Sequence, residues 1–131
     1  MNVIDLYERL LQSIKEHSKR VAFLTEYYTA DLEDKITIKC FVIGLLHDLL
    51  EDTEFTAKDI DDKNVRETVV ILTRESDEPY FEYIQRIIDS DNKYAYFVKL
   101  ADISDHLLQI ETLTPSLKDR YEKALRMLRG V

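Results

Sequence analysis

Apolar residues recur every three or four positions along most of the chain, which is the spacing of an amphipathic α-helix. The first such stretch predicts a helix over residues 2–14, and the next predicts a second helix that begins near His17. One face of this second helix carries four residues: His17, Val21, Leu24 and Tyr28. We expect this face to be buried, because helices in globular proteins hide their apolar stripe.

A central helix is predicted over Lys35–Glu51, after a polar connection at residues 30–35. Asp34 stands where an N-cap is needed, and aspartate is a favoured residue there. Within Cys40–Leu46 the helix has no polar side chain, so it is apolar on all sides for nearly two turns. A helix of this kind is typically buried, and we expect it at the centre of the fold.

Four more helices follow the central one, and their predicted limits are Asp61 or Asp62 to Leu72, Pro79 to Asp89, Lys93 to Gln109, and Pro115 to Gly130. Thr114 is a favourable N-cap for the last of them, and Thr56 with Asp59 predicts a capped short turn. We find no alternating strand pattern, linker or repeat. The sequence therefore predicts one all-α domain of six or seven helices over residues 1–131.

Charge and composition narrow the possible partners. The chain has 26 acidic and 18 basic residues, a net charge of −8, and no basic cluster. Surfaces that bind nucleic acid polymers are basic, so we expect no such partner. The longest apolar run has seven residues, against about 20 for a membrane-spanning helix, so we expect no membrane segment. The single cysteine, Cys40, lies in that run and favours a reducing compartment, the cytoplasm.

Candidate chemistry is concentrated in the stretch GLLHDLLEDT at Gly44–Thr53. An apolar helix leads here into four polar residues: His47, Asp48, Glu51 and Asp52. No lysine or arginine lies within the stretch to neutralise the carboxylates. Because unpaired buried charge is costly, a bound divalent cation is the simplest compensation. A solvated helix end is the alternative for Glu51 and Asp52, although negative charge there opposes the helix dipole.

Two further residues belong to the candidate site. His17 lies on the apolar face of the second helix, and Asp102 follows the apolar run of the helix over 93–109. Each has a structural alternative. His17 could be a core histidine bonded to a backbone carbonyl, and Asp102 could be a buried acid bonded to a helix N-terminus. Taken with His47 and Asp48, they form a mixed imidazole and carboxylate set that suits Mn²⁺, Fe²⁺, Zn²⁺ or Mg²⁺.

The order of these residues resembles that of the HD-domain metal-dependent phosphohydrolases. More specifically, the chain is similar to the hydrolase domain of RelA/SpoT-type guanosine polyphosphate (ppGpp) hydrolases and their small single-domain relatives. The similarity covers about residues 14–130. The stretches that carry it are HSKRVA at 17–22, GLLHDLLEDT at 44–53, LTRESDEPYFEYIQRI at 72–87, VKLADISDH at 98–106 and KDRYEKALRMLRG at 118–130.

The resemblance implies a helical fold with one metal ion, usually Mn²⁺, held by His17, His47, Asp48 and Asp102. Glu51 and Asp52 match the glutamate–aspartate pair that the family uses to handle the attacking water. Carboxylates one helical turn from a metal can orient that water and accept its proton.

Five residues are candidates for contact with the substrate: Lys19, Arg20, Arg74, Lys99 and His106. Lys19 and Arg20 are, with Lys15, the only cations near His17, and each has an ordinary solvated side chain as its alternative. The family's basic, glycine-containing segment before that histidine is missing here. Arg74 and Lys99 occur in the similar stretches LTR and VKLAD, and a surface ion pair is their alternative role. His106 replaces the usual asparagine, and it either contacts substrate or packs.

These features predict a metal-dependent nucleotide phosphohydrolase, and the resemblance implies ppGpp 3'-pyrophosphohydrolase activity as the specific candidate. The alternatives are an enzyme for another phosphorylated nucleotide and a non-catalytic module that binds a nucleotide or a protein partner. The native metal and the oligomeric state do not follow from the sequence.

Overall fold

Helices account for most of the computed structural model, which describes residues 4, 5, 8, 12, 14–52 and 54–131. The described part contains no β-strand. Its helices are α1 (Glu16–Thr29), α2 (Asp34–Leu46), α3 (Leu49–Asp52), α4 (Lys63–Leu72), α5 (Tyr80–Asp89), α6 (Lys93–Leu108) and α7 (Pro115–Arg129). Six of these have ten or more residues, and α3 is a single turn. The all-α prediction is therefore confirmed, although most of the helix predicted over 2–14 lies outside the described residues.

Local capping signals in the sequence correspond to observed caps. The side chain of Asp62 accepts a hydrogen bond from the backbone N–H of Val65, and that of Thr114 accepts one from Leu117. Thr56 and Asp59 form a capping box around a short 3₁₀ turn. These interactions involve residues only three positions apart, so a sequence pattern is enough to predict them.

The central helix is not continuous as predicted, because α2 ends at Leu46 and α3 begins at Leu49. At the break, Nδ1 of His47 donates a hydrogen bond of 2.7 Å to the carbonyl oxygen of Gly44. A histidine near a helix C-terminus commonly satisfies a terminal carbonyl in this way. The prediction of one unbroken helix over Lys35–Glu51 is therefore wrong. Asp34 is also not the N-cap, a position held by Glu33 without a side-chain bond.

Helix α6 lies at the centre of the core, and α1 packs against both α6 and α2. Val98, Ala101 and Ile103 of α6 are completely buried. A methyl group added at Gly44 of α2 would lie 2.9 Å from Cα of Ala22 in α1. Only glycine permits this close approach, which brings the N-terminal half of α1 near the end of α2. No helix in the described part is long and apolar enough to span a membrane.

Candidate metal centre

Three of the predicted ligands come from three different elements. His17 lies in the first turn of α1, His47 follows the last residue of α2, and Asp102 lies in α6. One ligand atom from each lies within 4.8 Å of the other two. Residues separated by up to 85 positions in the chain are thus brought to one point.

One carboxylate oxygen, Oδ1 of Asp102, is approached by all three histidines of the chain. Its distance to Nε2 is 2.7 Å for His17, 3.4 Å for His106 and 3.5 Å for His47. The second oxygen, Oδ2, is 2.6 Å from the ammonium of Lys99, which is also buried. Burial alone would raise the pKa of Asp102, but Lys99 and the neighbouring histidines hold it well below its usual range. Asp102 is therefore ionised and available as a ligand.

The imidazole of His47 is oriented for metal binding. Because a carbonyl can only accept, its Nδ1 carries the hydrogen bonded to Gly44. Its Nε2 lies 3.3 Å from Oδ2 of Asp48 but is buried without a hydrogen-bond partner. Buried polar atoms are normally paired, and a cation between the histidine and the carboxylates would give Nε2 a partner. The donor set thus fits a divalent metal.

Asp105 holds His17 in place and was not among the residues predicted from the sequence. Its Oδ2 is 2.6 Å from Nδ1 of His17, which leaves Nε2 of that ring facing Asp102. Arg20 donates two hydrogen bonds to the same carboxylate, of 2.8 and 3.1 Å. A carboxylate behind a ligating histidine is a common feature of metal sites. The sequence does contain one signal for this role, because Asp105 follows Asp102 by three residues and so lies on the same side of α6.

Positive charge is stabilised at this site even without a metal. Burial alone would lower the pKa of His17, but hydrogen bonds to Asp102 and Asp105 raise it to about 9. Burial also disfavours a charged His47, yet the carboxylates of Asp102 and Asp48 raise the pKa of that ring as well. An electrostatic environment that favours imidazolium also favours a metal cation, which would replace the added protons.

An open cleft of about 410 Å³ lies beside this cluster. Asp48 and Glu51 line it, and Glu51 is exposed. Oε1 of Glu51 accepts a 2.7 Å hydrogen bond from the backbone N–H of Arg74. Asp52 belongs to α3, but its side chain lies outside the described part of the structure.

Three of the five candidate substrate residues line the cleft: Arg74, Lys99 and His106. The other two are engaged elsewhere, since Lys19 pairs with Glu16 and Arg20 with Asp105. The cleft is also lined by cations and aromatic rings outside these five candidates: Lys15, Tyr80, Tyr83, Arg120 and Tyr121. They lie on separate helices and loops, and no local pattern links them to the metal motif.

Residues 14–110 match the model of the HD domain family. The matched range is well over half of the chain and contains every predicted metal ligand. No curated protein matches the sequence.

Proposed function

The chain belongs to the HD-domain family, and from this premise we propose that it is a metal-dependent phosphohydrolase acting on a small phosphorylated nucleotide. The observation that carries the proposal is the convergence of His17, His47 and Asp102 beside an open cleft, with Nε2 of His47 buried and unpaired. The proposed substrate is a guanosine polyphosphate such as ppGpp, from which the enzyme removes the 3'-pyrophosphate. This choice of substrate is supported by the resemblance of the sequence motifs to those of the RelA/SpoT-type hydrolases.

The metal would be held by His17, His47 and Asp102, with Asp48 as the fourth ligand; Mn²⁺ is proposed, and Fe²⁺, Mg²⁺ or Zn²⁺ would suit the same donors. When bound, such an ion supplies Lewis-acid activation of water and of a phosphoryl oxygen. Asp105 fixes the ring of His17, and Lys99 keeps Asp102 ionised through the 2.6 Å pair. These two residues prepare the ligands for the metal.

Glu51 is the proposed general base. Its carboxylate is exposed in the cleft, and the hydrogen bond from the N–H of Arg74 restrains one oxygen. This carboxylate can accept a proton from the attacking water. Asp52 is proposed to assist in this step. His106, which stacks on Tyr121 with ring centroids 4.7 Å apart, is proposed to contact the substrate.

A small substrate is favoured over a nucleic acid polymer by the net charge of −8. A cytoplasmic location is part of the proposal, supported by the single cysteine. The second candidate function is a module that binds a nucleotide or a partner without turnover. It is favoured by the absence of a basic, glycine-containing segment before His17.

The test is a panel of nucleotides incubated with Mn²⁺-loaded protein, with phosphate and pyrophosphate release as the readout. We expect turnover of at least one nucleotide, and a loss of about 10²–10⁴-fold in Glu51→Gln, since a general base typically contributes that much. Glutamine keeps an acceptor for Arg74, so metal content and thermal stability should be unchanged.

Glu82→Gln is the matched control, because Glu82 is exposed on α5 and does not line the cleft. It should behave as the unmodified protein. Full turnover in Glu51→Gln would remove Glu51 from the mechanism, and binding of nucleotides without turnover of any would favour the binding module.

A further inference from the structure

His106, the third histidine of the chain, faces the candidate metal centre but has no part in the ligand set proposed above. Its Nε2 lies 3.4 Å from Oδ1 of Asp102, marginally closer than Nε2 of His47, which lies 3.5 Å from the same oxygen. Nε2 of His17 lies 2.7 Å from it. Three imidazole nitrogens are therefore grouped around one carboxylate oxygen, and that of His106 is as near as one with a predicted role in metal binding.

The spacing of Asp102 and His106 on α6 suits two ligands of one ion. They are separated by four positions, so their side chains leave the same face of the helix on successive turns. Two histidines with this spacing bind zinc in helical metal sites. Ligand atoms that are about 2.1 Å from a metal lie about 3.0–3.4 Å from one another in octahedral or tetrahedral geometry. The 3.4 Å between Nε2 of His106 and Oδ1 of Asp102 is such a separation.

A hydrogen bond to Asp102 accounts less well for this contact. An N–H···O hydrogen bond usually spans about 2.7–3.2 Å, and Oδ1 already has the nitrogen of His17 at 2.7 Å. Nε2 of His106 therefore lies beside the ligand atoms of the site without a well-formed hydrogen bond to them.

Aromatic neighbours restrain the plane of the His106 ring but leave it room to turn. The ring is parallel to that of Tyr121, with an angle of 4° between the planes, and its centroid is 4.4 Å from that of His17. The three residues whose ligand atoms lie within 4.8 Å of one another do not include His106. Its side chain is 39% exposed and lines the cleft. Rotation of the ring can therefore bring Nε2 to an ion held by the other three.

We propose that His106 binds the metal ion as a third imidazole ligand, so that the site prefers Fe²⁺ or Zn²⁺ to Mn²⁺ or Mg²⁺. Imidazole nitrogens favour the first two ions, whereas carboxylate and water oxygens favour the other two. Fe²⁺ or Zn²⁺ thereby replaces Mn²⁺, which the sequence resemblance implies, as the preferred ion. The proposal rests on the proposed function only in taking this cluster to bind a metal. A ligand at the edge of the cleft also borders a bound substrate, so this role adds to the contact proposed for His106.

X-ray absorption at the zinc edge tests the proposal directly, because scattering from imidazole rings counts the histidines bound to the ion. The full chain is loaded with one equivalent of Zn²⁺. We expect three imidazole ligands in the unmodified protein and two in His106→Phe. Phenylalanine keeps a ring that can stack on Tyr121 but lacks both nitrogens. Tyr96→Phe is the matched control and should retain three imidazoles, since Tyr96 lies on α6 and does not line the cleft.

Metal affinity provides a second readout that does not depend on turnover. His106→Phe should raise the Kd for Zn²⁺ by at least about 10-fold, the lower limit for loss of even an outer partner of a ligand. The Kd for Mn²⁺ should change less, because Mn²⁺ favours oxygen donors. Competition titrations with a chromophoric chelator measure both constants. His106→Gln removes the imidazole as well and should act in the same direction if His106→Phe fails to fold.

Two imidazoles in the Zn²⁺-loaded unmodified protein would overturn the proposal and leave the metal centre of His17, His47 and Asp102 standing. Equal rises in the Kd for Zn²⁺ and for Mn²⁺ would also overturn it, because they would show that His106 supports the site without selecting the ion. Three imidazoles in a protein that hydrolyses no nucleotide would support the ligand and reject only the hydrolase.

Discussion

At the scale of single residues, the site depends on how charge is distributed around Asp102. Its two oxygens face three imidazoles and one ammonium, so a buried carboxylate is surrounded by groups that stabilise its ionised form. Asp105 supports His17 in turn, because its carboxylate is hydrogen-bonded to Nδ1, the ring nitrogen that does not face Asp102. Removal of a partner behind a ligand typically weakens metal binding by about 10-fold to 100-fold.

Asp105→Asn should therefore raise the Kd for Mn²⁺ by about 10-fold to 100-fold. Asparagine can still accept a hydrogen bond from His17, but it lacks the negative charge that strengthens this ring as a ligand. Calorimetric titration of metal into apo-protein measures the change. Asp119→Asn, at an exposed position of α7, is the control. An unchanged Kd in Asp105→Asn would show that Asp105 does not support the metal.

Cys40 should be unreactive in the folded protein. Burial raises the pKa of its thiol to about 11, so almost none is present as the reactive thiolate at pH 8. A disulfide reagent such as dithionitrobenzoate should label Cys40 slowly in buffer and completely in guanidinium chloride. Ser116→Cys combined with Cys40→Ser supplies an exposed thiol for comparison. Rapid labelling of Cys40 without denaturant would contradict its burial.

At the scale of elements, the contact between α1 and α2 determines whether His17 and His47 can meet. Gly44 lets the backbones approach until Cα of Ala22 would be only 2.9 Å from an added methyl group. The same glycine accepts the hydrogen bond from His47 through its carbonyl oxygen. The helix contact and the orientation of a metal ligand therefore depend on one residue.

Gly44→Ala should lower the free energy of unfolding by about 1–3 kcal/mol, the usual cost of an overpacked core. At an unhindered helix position the same change would stabilise the protein by about 1 kcal/mol. The two effects have opposite signs. We expect the steric clash to dominate, because the added methyl group would meet the backbone of Ala22, which cannot move aside as a side chain can. Urea denaturation of both proteins measures the difference. A more stable Gly44→Ala protein would show that α1 and α2 separate without penalty.

At the scale of the whole molecule, the candidate metal centre joins residues that lie 85 positions apart in the chain. Its predicted ligands come from α1, the end of α2 and α6, which pack against one another in the core. An ion bound at this point links these elements in the native state only. Metal binding and folding are therefore coupled.

Mn²⁺ should raise the thermal midpoint, because a ligand that binds only the folded state adds about 2.7 kcal/mol of stability when its concentration is 100 times Kd. Chelator should reverse the effect. In His47→Ala, which lacks one ligand, the midpoint should be lower and nearly independent of Mn²⁺. Thermal unfolding followed by circular dichroism measures the midpoint with Mn²⁺, with chelator and in His47→Ala. A midpoint that does not respond to saturating Mn²⁺ in the unmodified protein would contradict a structural role for the metal.

The sequence by itself determined the helical class and most helix limits, because these follow from apolar spacing and from caps such as Asp62 and Thr114, which act within three residues. The motifs also indicated which residues carry candidate metal chemistry, since the donor atoms belong to the residue types themselves. The roles of His17, His47, Asp48 and Asp102 as ligands stay predictions until metal binding is measured.

Only the tertiary structure decided which side chains share a site with those residues. Asp105 reaches His17 across 88 positions, and Arg74 and Arg120 meet on Tyr80 from separate elements. The break in the central helix at His47 likewise accompanies a side-chain bond that no apolar pattern reveals. The physical reason is that such contacts depend on how helices cross, and crossing is set by packing across the whole core rather than by any local stretch of sequence.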